Sequence, residues 1–211
     1  MVCNPNGILS YKDTDNISKE LLDGLKVFNS KHKLISVFGS ARVKPDTLDY
    51  SLACDIGDIA AKNGYGIITG GGPGIMEAAA KGCALAGGVT YGINIRLPYE
   101  QFMNPYIKIP FFCKQMFNRK ILLTCNSIGF VVMPGGFGTL DELFEIVTLV
   151  STTLSKPVPI VLANSSYWAG LYQWIEEKFI PLGFINKNEL KIIKILDRPI
   201  DIITYISQFN S

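Results

Sequence analysis

Residues 127–151 read SIGFVVMPGGFGTLDELFEIVTLVS. The apolar, β-branched run from Ser127 to Pro134 has the composition of a strand buried on both faces. Gly135, Gly136 and Gly138 then make a flexible turn, and from Thr139 onward apolar residues recur at helical spacing. Strand, glycine turn and helix in that order form a βα unit, which implies a parallel neighbour reached by a right-handed crossover.

The same order recurs on both sides. KLISVFGSARV (33–43) is a buried strand that stops at Gly39 and Ser40, followed by a helix over Asp46–Asn63 that Gly64 ends. YGIITGGGPGIMEAAAKGCALAGG (65–88) repeats strand, glycine turn and Ala-rich helix. VTYGINIRLP supplies another strand, a Pro- and aromatic-rich loop (99–112) leads to a helix carrying CKQMFNRKILLTCN, and PVPIVLAN, SYWAGLYQWIEEKFIPLG, IIKIL and PIDIITYISQF complete the alternation. The expectation is an α/β fold: a single-domain Rossmann-like, doubly wound sandwich over residues 1–211, with a mostly parallel sheet and helices on both faces. An N-terminal helix is expected over 17–30, the core over 34–196 and a C-terminal helix over 199–208. In such sheets a ligand sits beyond the carboxyl ends of the strands where the strand order reverses. Three polar turns lie at such ends: GSAR (Gly39–Arg42), TGGGPG (Thr69–Gly74) and PGGFGT (Pro134–Thr139).

Composition narrows the chemistry. A formal charge of +2 without a basic stripe disfavours nucleic acid as a partner. Cys3, Cys54, Cys83, Cys113 and Cys125 are odd in number and form no CxxC pair, which fits a reducing cytoplasm rather than a disulfide framework or zinc site. No apolar run reaches the ~18 residues of a membrane span, so no membrane partner is expected, and the NSS sequon at Asn164 carries no meaning in a chain that is not secreted. The only histidine, His32, precedes the first strand, far from every turn named, so neither metal nor histidine acid/base chemistry is expected.

Glycines before a helix let backbone amides approach an anion, and the helix dipole then favours it. PGGFGT, with the Thr139 hydroxyl, and TGGGPG from the neighbouring strand can cradle one phosphate between them. Neither fits GxGxxG, since Ile75 stands where the third glycine belongs, and no GxxxxGK[ST] loop occurs. Glycines at such turns also serve tight geometry alone, and Thr139 with Glu142 can equally be a capping box that satisfies the first N–H groups of a helix. Spacing does not separate these readings.

The combination VFGSAR, GGGPGIMEAA, Arg119-Lys120 and PGGFGTLDE, in this order, resembles the "lonely guy" (LOG) family over Leu34 to Phe184. The characterised members of that family are cytokinin riboside 5′-monophosphate phosphoribohydrolases of Rossmann-like fold, and relatives often carry the label lysine decarboxylase. The resemblance implies hydrolysis of the N-glycosidic bond of a purine nucleoside 5′-monophosphate, AMP or an N6-substituted analogue, to free base and ribose 5-phosphate, without a cofactor. It implies Glu142 and Arg119 as the catalytic pair: the carboxylate faces an oxocarbenium-like ribose and the guanidinium faces the departing base. Around them it implies a substrate site of Gly39, Ser40, Arg42, Gly71, Gly72, Gly74, Glu77, Met116, Lys120, Pro134, Gly135, Gly136, Gly138 and Thr139. Within it Arg42 is a phosphate partner, Glu77 a ribose contact or a surface acid, Met116 part of the base pocket, and Lys120 packs or pairs nearby. Plant members usually have Met-His-Glu-Arg-Lys where this chain has Met116-Phe117-Asn118-Arg119-Lys120. The family also implies a homodimer or larger homo-oligomer with the site near the subunit interface; the apolar LFEIVTLV helix reads equally as that interface or as a core helix. Pyridoxal-dependent decarboxylation needs a Schiff-base lysine and a larger scaffold, for which the sequence offers nothing. A non-catalytic nucleotide or cofactor carrier of the same fold is the rival from another class.

Overall fold

The computed structural model describes residues 11–28, 32–95 and 102–209, with residues 11–13 described by their backbone alone. Seven strands form one sheet: β1 (Leu34–Phe38), β2 (Gly66–Thr69), β3 (Thr90–Ile95), β4 (Ile109–Cys113), β5 (Ser127–Val132), β6 (Ile160–Ala163) and β7 (Ile193–Leu196). Their order is β4-β3-β2-β1-β5-β6-β7, and every pairing is parallel. The sheet is thus wholly rather than mostly parallel. The order reverses between β1 and β5, whose registers join Phe38 to Val132.

Both faces of the sheet are covered, which is why its strands read as unbroken apolar runs. Ile35, Val37, Ile67 and Val131 pack against α2 (Leu48–Lys62), α3 (Ile75–Leu85) and α8 (Pro199–Phe209). Leu34, Phe38, Ile68 and Phe130 turn to the opposite face, where α1 (Tyr11–Val27), α4 (Met116–Thr124), α5 (Phe137–Ser151) and α6 (Ser165–Phe179) bring Leu21, Leu122, Leu143, Ile146 and Trp168. A short α7 (Lys187–Leu190), which the sequence reading lacked, is held by an Asn186/Glu189 capping box.

Three boundaries differ from expectation for local reasons. α1 starts at Tyr11, six residues before the apolar periodicity begins at Ile17, because its first turns carry polar residues. Ile109–Cys113, read as the end of a loop and the start of a helix segment, is an edge strand: Pro110 lacks an N–H, which the sheet tolerates at an edge where only one side is paired. α5 begins at Phe137, not Thr139, with Gly136 as N-cap and no side-chain capping bond. That overturns the capping-box reading of Thr139 and Glu142. Among the described residues no helix is long and apolar enough to cross a membrane.

Candidate active site

The turns after β1 and β5 are sewn together at the point where the strand order reverses. Met133 N–H donates to Phe38 O at 2.8 Å and Ser40 N–H to Pro134 O at 3.0 Å. Above this seam opens a cleft of about 790 Å³, lined by Gly39–Val43, Gly70, Met76, Ile95, Met116, Arg119, Pro134–Thr139, Glu142 and Tyr167, among others. Of the residues expected at a substrate site, Gly39, Ser40, Arg42, Met116, Pro134, Gly135, Gly136, Gly138 and Thr139 line it together with Arg119 and Glu142.

Because no side chain caps α5, its first N–H groups and the positive end of its dipole are left to the cleft. Thr139 lies in that first turn, nearly fully buried, with its hydroxyl packed against Gly135. Arg42 is exposed at the rim, and its N–H donates to Ser40 Oγ at 3.0 Å. These groups are suited to an anion: amides from a helix start, a hydroxyl and an exposed cation.

Arg119 and Glu142 meet deeper in the cleft, Nη1 to Oε1 at 3.6 Å, with side chains only 14% and 15% exposed. Arg119 is steered by two further contacts: Nε–H donates to Ile93 O at 3.0 Å, and the guanidinium passes so close over Gly70 that a Cβ there would overlap Nη2. Burial pushes the Glu142 carboxyl up to about 7, against the pull of Arg119. A carboxyl poised there interconverts between acid and base at neutral pH, which is the property general acid–base chemistry requires.

Gly71, Gly72, Gly74, Glu77 and Lys120 do not line the cleft. Asn104 Nδ2 donates to the carbonyls of Gly71 and Gly72 at 3.1 and 2.9 Å, and Asn104 N–H to Gly71 O at 2.8 Å, so this turn is tied to the loop before β4. Gly74 lies flat against the backbone of Ser40 and Ala41, where any side chain would collide, and Ile75 N–H is taken by Ser40 O at 3.1 Å. The start of α3 therefore braces the GSAR turn. Glu77 accepts from Tyr50 Oη at 3.2 Å; burial and then the charge of Glu77 push that phenol up to about 12. Lys120 pairs with Asp141 at 2.9 Å and Glu145 at 3.3 Å.

The sequence model of the family described as "Possible lysine decarboxylase" matches residues 76–206, well over half the chain. The chain belongs to this lysine decarboxylase-like (LOG) family. Among its relatives, a cytokinin riboside 5′-monophosphate phosphoribohydrolase of Mycobacterium tuberculosis is 28% identical over 152 residues, 69% of this chain and 79% of that one. An Arabidopsis thaliana enzyme of the same name is 28% identical over 177 residues, covering 82% of this chain and 80% of its own. Among solved structures, the molybdenum cofactor binding protein of Rippkaea orientalis superposes with a TM-score of 0.66 at 22% identity, over 87% of this chain and all of that one. It shares the Rossmann-type fold of this LOG-family chain.

Within the LOG-family cleft, sequence reasoning missed Gly70, Met76, Ile95, Phe137 and Tyr167. The signal for Gly70 was its place as the first residue beyond β2, nearer the strand end than the glycines chosen. Tyr167 follows the third strand end on the same side of the sheet, after β6, a junction without the glycines that drew attention to the others. Among the described residues no lysine lines the cleft, and no three His, Cys, Asp or Glu side chains gather as metal ligands.

Proposed function

We propose that this protein hydrolyses the N-glycosidic bond of a purine nucleoside 5′-monophosphate, AMP or an N6-substituted analogue of the cytokinin type, releasing the base and ribose 5-phosphate. The observation that carries this reading is the buried Arg119–Glu142 pair at 3.6 Å beneath a turn built for an anion. The phosphate sits on the uncapped start of α5 with Thr139 and Arg42, and that binding holds the ribose over Glu142. As the C1′–N9 bond lengthens, its electron pair goes to the base and positive charge builds on the ribose. Ionised Glu142 stabilises that charge and takes a proton from the water whose oxygen bonds to C1′. Arg119 lies against the base side, where it stabilises the departing electron pair, and the proton taken from the water passes on to the base, which leaves neutral and returns Glu142 to its ionised form.

The named activity of the mycobacterial and Arabidopsis relatives supports the same reading. The rival, a carrier that binds a nucleotide or cofactor without turnover, leaves unexplained why a cation and a carboxyl whose affinity for protons is tuned to neutrality should be buried together. A homodimer or larger homo-oligomer is part of the proposal: Phe137 at the cleft mouth is 91% exposed, and Phe144 on the same helix is partly so. The deciding experiment incubates purified protein with a panel of nucleoside monophosphates and follows free base by chromatography. Release from at least one purine nucleotide is expected; release from none, with binding retained, would favour the carrier.

A further inference from the structure

We propose that Glu20, on α1, is a positioning residue for Arg119: its carboxylate caps α4 from outside the helix and thereby sets how the guanidinium enters the cleft. Only the kinetic arm of its test rests on the hydrolytic reading above.

α4 has nine residues and carries both Met116 and Arg119 one turn apart. A helix this short does not hold itself together in water and depends on ties from the rest of the fold. Its own N-cap, Gln115, supplies no side-chain bond. Glu20 instead holds the chain where it enters the helix. Oε2 accepts Lys114 N–H at 2.8 Å, and Oε1 accepts both Gln115 N–H at 3.2 Å and Asn118 Nδ2–H at 3.0 Å. The negative charge also lies at the positive end of the α4 dipole. Asn118, fully buried, adds a second tie by donating to Ile17 O at 3.0 Å. Arg119 is thus held at two points, by the Ile93 carbonyl at its Nε and by the backbone of a helix that α1 pins.

The arrangement also accounts for Asn118: a glutamate at this position would face the Glu20 carboxylate instead of donating to it. The acceptor at 20 and the donor at 118 belong together.

The test uses Glu20→Ala, Glu20→Gln, Asn118→Glu and the double variant Glu20→Gln/Asn118→Glu of the full chain, with three readouts. Amide hydrogen exchange over residues 114–119 of the free protein should become at least tenfold faster in Glu20→Ala, with β1 and β5 unchanged. The Glu142 carboxyl, followed by carbon-13 NMR, should titrate half a unit or more higher, because Arg119 no longer lowers it. Arg119 and Lys120 from α4 and Asp141 and Glu145 from α5 all face Glu142, and of these only Arg119 is predicted to move. The kcat for base release should fall about tenfold with KM within twofold, since the phosphate-binding turn is untouched. Glu20→Gln, which keeps one accepting oxygen, should fall between, Asn118→Glu should resemble Glu20→Ala, and the double variant should recover part of the loss by exchanging donor and acceptor. Unchanged exchange at 114–119, or faster exchange with an unmoved Glu142 titration, would overturn the proposal. A wild-type protein that releases no base overturns the hydrolytic reading instead, and the first two readouts then decide this one.

Discussion

Tyr167 donates its hydroxyl proton to the carbonyl of Gly135 at 2.6 Å, linking the first turn of α6 to the glycine turn after β5. The ring stands edge-on to Trp168, whose Nε1–H in turn donates to Val132 O at 3.2 Å, so two aromatic side chains buttress the same strand end. Removing the hydroxyl alone, in Tyr167→Phe, keeps the ring contact and frees the turn. A neutral hydrogen bond contributes about 1 kcal/mol. KM for the nucleotide should therefore rise about fivefold with kcat nearly unchanged, as steady-state kinetics will show.

Glu142→Gln removes the charge with almost no change of shape. Since α5 has no capping box, the substitution leaves the helix start intact. Base release should fall by about 10²–10⁴, the usual contribution of a positioned acid or base. Retained activity at the wild-type level would remove Glu142 from the chemistry.

The same variant has a stability signature. Glu142 binds its proton more tightly folded, about 7, than its ordinary 4.5, so its favourable contribution is complete below pH 4.5 and is lost as pH rises through 7. At about 1.4 kcal/mol per pH unit, the unfolding free energy of Glu142→Gln minus that of wild type should grow by roughly 3 kcal/mol between pH 4 and pH 8. Denaturant melts across this range will show it, and a flat difference would contradict the burial of an ionisable Glu142. The wild-type rate should show an acid limb centred near pH 7 if the carboxylate is the active form.

Adenosine should be cleaved at least about 100-fold less efficiently than AMP in kcat/KM. Two or more charge-assisted hydrogen bonds from the α5 start, Thr139 and Arg42 are lost with the phosphate, each contributing about 1.5–3 kcal/mol. Comparable release of adenine from both, followed by chromatography, would refute phosphate-directed binding.

Gly70→Ala places a methyl group where the Arg119 guanidinium lies and 2.7 Å from Met76 Sδ. Arg119 must shift, and a misplacement of about 1 Å in a catalytic group costs on the order of 100-fold in rate. Circular dichroism should report an unchanged fold.

The layers of this protein were open to a linear reading because a parallel sheet covered on both faces writes itself as alternating apolar runs and helical periods. The three turns at strand ends followed, of which those at Gly39 and Pro134 lie where the strand order reverses. What could not be read was the work of residues that arrive from far along the chain. Asn104 takes the carbonyls of Gly71 and Gly72 from more than 30 positions away, which ties that glycine turn to the loop before β4. Glu20 reaches Gln115 across 95 positions. The start of α5 was misplaced because Thr139 and Glu142 imitate a cap, whereas Gly136 lets the chain enter the helix earlier.

The seam that joins Ser40 to Pro134 and Met133 to Phe38 leaves no hinge between the two halves of the sheet among the described residues. Under the proposed function, the end of the cleft that takes the phosphate is therefore a preformed receptor rather than a jaw. Loading it with nucleotide should leave the radius of gyration in X-ray scattering unchanged, and little of the attraction between amides and phosphate should be spent on ordering the backbone that makes it.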